Sequence, residues 1–212
     1  MDRKYFGRQD LQEFFGNAGA ELRGRVTVFL FGGGAMAFRD QKNATKDLDL
    51  IFASEKSYDA FVLAVEKTGF SKPVKVDIEY NGIKFAGGIW DSPSGLRLDL
   101  FVKTVLHKLR LSRSVRSRSE LLGKFGKLEV RMLSNEDIVL FKAMTDRSDD
   151  LRDIAIIARS GGLNFDWGAV LRECKGQSRN KPFLLYLLEK LDQLKETEGI
   201  DAPIMKELEK LA

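Results

Sequence analysis

The 212-residue sequence predicts an α+β fold, in which a small mixed sheet is flanked by helices and followed by an all-helical C-terminal region. The run Val26–Phe31 is β-branched and aromatic, has the length of a buried strand, and ends in three glycines at 32–34 before a short helix. Residues 47–52 and 96–102 alternate polar and apolar side chains, as strands with two different faces do. Beyond Ser134, apolar residues recur at helical spacing.

Apolar spacing, glycine stops and capping residues predict the remaining elements in chain order. They are helices over 8–22 and 55–67, short strands around 74–80 and 83–89, a helix from a capping box at 134–137 to about 145, one from Asp149 or Asp150 to 160–162, and helices near 166–175, 182–196 and 203–211. We therefore expect a core with an N-terminal helix over residues 1–133 and a helical region over 134–212 packed on it.

The composition is that of an ordinary globular protein, with 35 Lys and Arg against 31 Asp and Glu, 43% hydrophobic residues and one cysteine. This excludes a disulfide scaffold, a collagen and a disordered tail. With Cys174 alone, neither a disulfide bridge nor cysteine-based zinc binding is available within one chain. Since no apolar run approaches a membrane span, we expect a cytoplasmic protein without a membrane partner.

The positive charge is concentrated in one window, residues 103–131, which holds nine basic and two acidic residues. Its charge is therefore +7, while the rest of the chain sums to −3. Such a window would attract phosphate, either of a nucleotide or of an RNA backbone, although a solvated helix face is the alternative. The candidate RNA-binding residues are Arg110, Arg113, Arg116 and Arg118.

Carboxylates occupy the polar positions of two predicted strands. Asp47 and Asp49 lie two residues apart and share a face, and Asp99 lies opposite the leucines of its own strand. If these strands are neighbours, the three carboxylates crowd one face and need a cation, for which Mg²⁺ is the natural choice. The alternative is the polar face of an edge strand.

The glycine turn offers a second chemical feature. Backbone N–H groups of Gly33 and Gly34 beside a helix start can form a cradle for an anion. The spacing Gly32, Gly34, Ala37 also satisfies the relaxed dinucleotide-binding fingerprint. The next strand argues against that interpretation, because a dinucleotide-binding fold carries one acidic residue at the end of its second strand rather than two inside it.

Taken in order, these motifs resemble a known enzyme fold. Residues 31–35 (FGGGA), 45–50 (TKDLDL) and 98–100 (LDL) resemble the nucleotidyltransferase fold of the polymerase β type. Residues 134–142 (SNEDIVLFK) and 147–154 (RSDDLRDI) resemble the minimal nucleotidyltransferases related to the AbiEii toxins of type IV toxin–antitoxin systems. The similarity covers about residues 24–160.

The resemblance implies roles for residues on its motif positions. Asp47 and Asp49 would hold two Mg²⁺ ions, and Asp99 would act as a metal ligand or general base. Lys142 would neutralise phosphate charge, and Asp150 would orient Lys142 or assist proton transfer. A surface lysine and a plain helix N-cap are the respective alternatives. The expected nucleotide-binding residues are Gly32, Gly33, Gly34, Arg39, Lys46 and Lys142, with Arg147 as a further phosphate contact.

The implied function is transfer of a nucleoside monophosphate from an NTP to an acceptor hydroxyl, with release of pyrophosphate. RNA, in particular a tRNA 3′ end, is the acceptor favoured by the resemblance and by the basic window. A toxin-like role would add an antitoxin protein as partner. The alternatives are transfer to a small molecule or protein, and a non-catalytic binding partner with this fold. His107, Phe165 and Trp167 are assigned to packing.

Overall fold

The structure is a computed structural model that describes residues 4–73, 88–106, 108–145, 148–177 and 181–212, apart from the side chains of residues 148 and 181. Within these ranges eight strands form one mixed sheet. They are β1 Val26–Phe31, β2 Asp47–Phe52, β3 Gly88–Asp91, β4 Arg97–Val102, β5 Thr104–Val105, β6 Leu109–Arg110, β7 Glu120–Phe125 and β8 Leu128–Met132. Their spatial order is β6-β5-β4-β2-β1-β8-β7, and β3, which lies off this path, pairs antiparallel with β4.

Helices flank this sheet, as the α+β prediction requires. Those described are α1 Arg8–Glu21, α2 Gly32–Phe38, α3 Glu55–Lys67, α4 Arg113–Arg118, α5 Asn135–Lys142, α6 Ser148–Gly161, α7 Trp167–Gln177, α8 Lys181–Glu198 and α9 Met205–Glu209. Side-chain oxygens of Ser54, Ser112 and Ser134 accept backbone N–H bonds at the starts of α3, α4 and α5. Within the described ranges, no helix combines the length and the apolar character that a membrane crossing requires.

The two faces of the sheet bury different side chains. Leucines of β2 and β4, such as Leu50 and Leu100, are fully buried, and Phe52 on the same face packs on Phe61 of α3 with 5.1 Å between ring centroids. On the opposite face, Phe31 lies 5.6 Å from Phe101 and 5.1 Å from Phe141 of α5. The aromatic contacts therefore attach the C-terminal helices to the face that carries the aspartates.

Some details differ from the sequence prediction. Helix α2 begins at Gly32 rather than after the glycines, so the glycine turn is the first turn of the helix. The hairpin of β7 and β8 was not predicted, although Leu128, Val130 and Met132 alternate with Glu129 and Arg131 and are buried. Charge in the basic window concealed this period-two pattern. The strand predicted at 74–80 lies outside the described residues, as does 83–89 except for its last two residues, which belong to β3.

Candidate active site

The three predicted carboxylates lie on one face of the sheet. Strands β2 and β4 are parallel neighbours, and their register places Asp49 directly beside Asp99 and Asp47 beside Arg97. Residues in register, and residues two apart, project from the same face. Asp99 is almost completely buried, with 1% of its surface exposed. Arg97 is turned toward β3, where its guanidinium donates to both carboxylate oxygens of Asp91 at 2.8 and 3.1 Å.

The glycine turn lies against the first of these carboxylates. Gly32 has a φ of +60°, and a Cβ at this position would lie 1.9 Å from Oδ2 of Asp49. A side chain at position 32 would therefore strain the left-handed backbone and would also clash with the Asp49 carboxylate. At Gly33 a Cβ would lie 2.5 Å from the hydroxyl of Thr45, which is 3.0 Å from the main-chain oxygen of Asp47. The absence of side chains lets α2 begin directly beside the aspartates.

Lys142 at the end of α5 is a buried lysine held by two carboxylates. Its Nζ donates to Oδ1 of Asp150 at 2.8 Å and to Oδ2 of Asp153 at 2.7 Å. Burial lowers the pKa of Lys142, but the charges of Asp150 and Asp153 outweigh burial and raise that pKa above its ordinary value. Lys142 is therefore a fixed ammonium with one of its three N–H groups outside these two bonds.

Further bonds tie this lysine to the loop between α2 and β2. Lys42 in that loop donates to Oδ2 of Asp153 at 2.7 Å, and the Thr145 hydroxyl donates to Asp150. Asp153 therefore binds the ammonium groups of both Lys42 and Lys142, and only 3% of its surface is exposed. The network links α5, α6 and the loop beside the glycine turn into one charged cluster.

Two cavities meet at these groups. A small one of about 50 Å³ is lined by Asp49, Asp99, Lys142 and Asp150 together with the apolar side chains of Phe31, Phe101, Val105, Leu106 and Phe141. A larger one of about 590 Å³ shares Asp49, Lys142 and Asp150 with it. The other charged residues that line the larger cavity are Lys42, Lys46, Asp47, Asp149, Arg152 and Asp153. Its size falls in the range that whole small-molecule ligands occupy.

The aspartates of the site offer pairs of carboxylates, rather than a set of three, as ligands for a magnesium ion. In the described ranges, no three His, Cys, Asp or Glu side chains are gathered so that they could hold a metal ion by themselves. Asp49 and Asp99 nevertheless line one cavity together, and Asp47 and Asp49 line the other. Magnesium binds through one or two carboxylates plus substrate phosphates and water, so these oxygen donors fit an ion that arrives with a phosphorylated substrate.

Not every predicted nucleotide-binding residue reaches the cavities. Arg39, at the end of α2, donates instead to the main-chain oxygen of Leu133 at 2.7 Å, and it lines neither cavity. Gly34 also lines neither of them, because a Cβ there would point into the core, 2.6 Å from Leu48. The structure therefore gives Arg39 and Gly34 packing and bracing roles, while Gly32, Gly33, Lys46 and Lys142 border the cavities. His107 and Arg147 lie outside the described residues.

The basic window divides into exposed and internal arginines. Arg110, Arg113 and Arg116 are exposed. Arg110 belongs to β6, which pairs with β5, whose Val105 lines the small cavity, and Arg113 and Arg116 belong to α4, which follows β6. Arg118 is different, because its guanidinium pairs with buried Asp137 at 2.6 Å and with buried Glu173 at 2.9 Å. Arg118 thus connects α4 to α5 and α7, and the structure does not place it with the surface arginines.

Sequence reasoning missed several residues that line the large cavity, among them Lys42, Arg152, Asp153 and Tyr5. Asp153 carried a signal, since it follows Asp150 by three residues and must share its helix face. Lys42 and Tyr5 carried none, because nothing local shows that the loop and the N-terminal segment meet here.

The mixed sheet flanked by helices, with a glycine turn and aspartates on neighbouring parallel strands, is compatible with an α+β nucleotidyltransferase fold. Comparison with known families agrees at this level. The chain belongs to the family described as nucleotidyltransferase of unknown function (DUF6036), whose model matches residues 11–168, from α1 to the start of α7. The matched range includes the glycine turn, β2, β4, α5 and α6. The curated proteins contain no match to this chain.

Proposed function

We propose that this protein is a magnesium-dependent nucleotidyltransferase that moves a nucleoside monophosphate from an NTP to an acceptor hydroxyl. The observation that carries the proposal is the position of Asp49, which stands in register with Asp99 and lines both cavities beside Lys142 and Asp150. The large cavity, of about 590 Å³, has the volume of a nucleotide-sized ligand. The small cavity shares Asp49 and Asp150 with it and, at about 50 Å³, has room for a small group such as the acceptor hydroxyl rather than for a whole substrate.

The reaction would form a bond between the acceptor oxygen and the α-phosphorus and break the bond from that phosphorus to the bridging oxygen. Pyrophosphate leaves, and the proton of the acceptor hydroxyl passes to Asp99 or to water near it. Mg²⁺ ions would be held by the pairs Asp47–Asp49 and Asp49–Asp99 together with the phosphates, and would supply charge stabilisation of the phosphoryl group. Gly32 and Gly33 would let the phosphates approach the backbone closely.

Cations of the large cavity would bind the triphosphate. Lys42 and Lys46 come from the loop before β2, and Arg152 comes from the exposed face of α6. Lys142 lies between the two cavities, where a fixed ammonium stabilises negative charge without reorganisation. Asp150 and Asp153 would act through Lys142, because their hydrogen bonds hold its Nζ in place.

The proposed acceptor is RNA, with the tRNA 3′ end as the first candidate. Arg110, Arg113 and Arg116 support this choice because all three are exposed and lie on β6, which pairs with a strand that borders the small cavity, and on the following helix α4. Binding through such a group depends on salt, since phosphate contacts release counterions. A toxin-like role with an antitoxin partner is supported by the AbiEii resemblance of residues 134–154 alone, and growth arrest on expression, absent with Asp49→Asn, would test it.

The catalytic proposal is tested by incubating the protein with Mg²⁺, each α-labelled NTP in turn and total cellular RNA, and tracing the label. Asp49→Asn and Asp99→Asn keep the side-chain shape and should abolish transfer. Asp40→Asn is the matched control, because the Asp40 side chain is 86% exposed and pairs only at the surface with Arg8. Label on protein or on a small molecule would replace RNA as acceptor. No transfer with any NTP or acceptor would leave a non-catalytic binding protein.

The RNA surface has its own test. Arg113→Ala/Arg116→Ala should reduce the salt dependence of binding to unfractionated tRNA, lowering the slope of log K against log salt by about 1.5. Lys206→Ala/Lys210→Ala removes the same charge from exposed positions around α9 and serves as the control. Equal slopes for the arginine variant and the wild type would remove the support for RNA.

A further inference from the structure

We propose that Tyr5 is the stacking platform for the nucleobase of the NTP in the large cavity. Tyr5 lines this cavity together with Gly33 and Asp47, and 59% of its surface is exposed. The inference rests on the proposed function and adds to it the position of the base, which none of the sequence motifs indicates.

The segment that carries Tyr5 is held beside the cavity by its pairing with the loop before β2. Phe6 is buried, and its N–H and C=O exchange two main-chain hydrogen bonds with Thr45 at 2.8 and 3.0 Å. In this antiparallel bridge Tyr5 lies opposite Lys46, whose Nζ is 5.0 Å from the centre of the Tyr5 ring. Because the Thr45 hydroxyl also donates to the main-chain oxygen of Asp47, the bridge fixes the backbone at Tyr5 relative to the strand that carries Asp47 and Asp49.

The chemistry of the cavity favours a base at Tyr5 over another part of the ligand. Phosphates need cations and the glycine turn, and the lining supplies both through Lys42, Lys46, Arg152 and Gly33. A nucleobase instead needs an apolar surface. Among the described residues that line the cavity, Tyr5 supplies the one aromatic ring, and Ile156 and Ala44 are the aliphatic groups. The Tyr5 ring is exposed, and stacking on an aromatic ring accepts any base, because every base has a π-face.

Stacking on an aromatic side chain strengthens binding about tenfold or more per base, so the loss of the ring is measurable. It has a specific signature, because the ring contacts the base and not the phosphates. A residue that served only to hold Lys46 would affect every triphosphate-bearing ligand equally. Comparison of ligands with and without a base therefore separates the two roles.

The experiment is calorimetric titration of wild type, Tyr5→Ala and Tyr5→Phe with Mg²⁺ and each NTP, and separately with Mg²⁺ and inorganic tripolyphosphate. Tyr5→Ala should weaken NTP binding about tenfold and leave tripolyphosphate binding unchanged, while Tyr5→Phe should bind both as the wild type does. Lys42→Ala is the opposite control and should weaken both ligands.

The outcomes distinguish the inference from the proposed function. NTP binding by the wild type that Tyr5→Ala leaves unchanged overturns the inference alone, as does an equal loss of NTP and tripolyphosphate binding. Failure of the wild type to bind any NTP overturns the proposed function together with the inference. Since Tyr5 is largely exposed, the alanine variant should fold normally, and its unfolding midpoint in urea checks this.

Discussion

Replacing Gly32 by alanine should damage the site much more than the fold. The backbone at Gly32 has a φ of +60°, and a non-glycine residue in this left-handed region costs about 1–2 kcal/mol. The new Cβ would lie 1.9 Å from Oδ2 of Asp49, about 1.5 Å less than the ~3.4 Å of an ordinary contact. Cγ of Asp49 would also lie 2.8 Å from the new Cβ, so the whole carboxylate must rotate aside.

The displaced carboxylate sets the expected loss of activity. A misplacement of about 1 Å at a reacting centre costs on the order of 10²-fold in rate, equivalent to about 2.7 kcal/mol. We therefore expect Gly32→Ala to lower the free energy of unfolding by about 1–2 kcal/mol and to lower nucleotidyl transfer about 100-fold. Urea denaturation measures the first quantity, and transfer of an α-labelled NTP per folded molecule measures the second.

The same substitution at Gly19 provides the matched control. A Cβ at Gly19 would lie 1.8 Å from the main-chain oxygen of Phe125, so the backbone of α1 or β7 must shift. Gly19→Ala should lose more stability than Gly32→Ala and keep its activity per folded molecule. Wild-type transfer activity in a folded Gly32→Ala protein would refute the reasoning, because the position of Asp49 would then not matter.

Three further outcomes are expected. Lys142→Met should lower the free energy of unfolding by about 3–5 kcal/mol, measured in urea, because Asp150 and Asp153 are left without the buried ammonium of Lys142. Adding Asp150→Asn and Asp153→Asn to this variant should recover part of the loss. Glu173→Gln should lose about 1.5–3 kcal/mol near neutral pH. Burial raises the pKa of Glu173, but hydrogen bonds from serine, glutamine and arginine neighbours outweigh burial and lower this pKa. The stability that the Glu173 charge contributes is therefore present above pH 4.5 and is lost as the pH falls below that value. The difference between wild type and Glu173→Gln should therefore shrink in acid urea titrations, and a constant difference would contradict the assignment. Gly16→Ala, at an exposed position in α1 with nothing within 4 Å of a new Cβ, should raise stability by about 0.5–1 kcal/mol in the same assay.

Local patterns in the sequence were sufficient for most elements of the fold. Strand β1, the glycine turn and the alternating strands β2 and β4 lie where periodicity predicted them, and the capping serine at 134 begins α5. These signals need only neighbouring residues, because side-chain direction repeats every two residues in a strand and every 3.6 in a helix. The hairpin of β7 and β8 was missed where charged residues occupied its half-buried positions.

The candidate site was predicted in part for the same reason. The shared face of Asp47 and Asp49 is a local property, and so is the common helix face of Asp150 and Asp153. The burial of Lys142 is not local, since nothing in the sequence of α5 distinguishes a buried lysine from a surface one. Its two carboxylate partners come from the next helix, and only the packing of α5 on α6 brings them together.

The sequence by itself determined the α+β class, the order of the central elements and the carboxylates that share a face, because each depends on residues close together in the chain. Tertiary structure decided that Asp49 stands beside Asp99, that Lys42 reaches Asp153 across 111 positions, and that Tyr5 borders the cavity. It also separated Arg118, paired with Glu173 at a distance of 55 positions, from the exposed arginines around it. Such pairings are fixed by how strands and helices pack, and no local periodicity encodes which distant residues will meet.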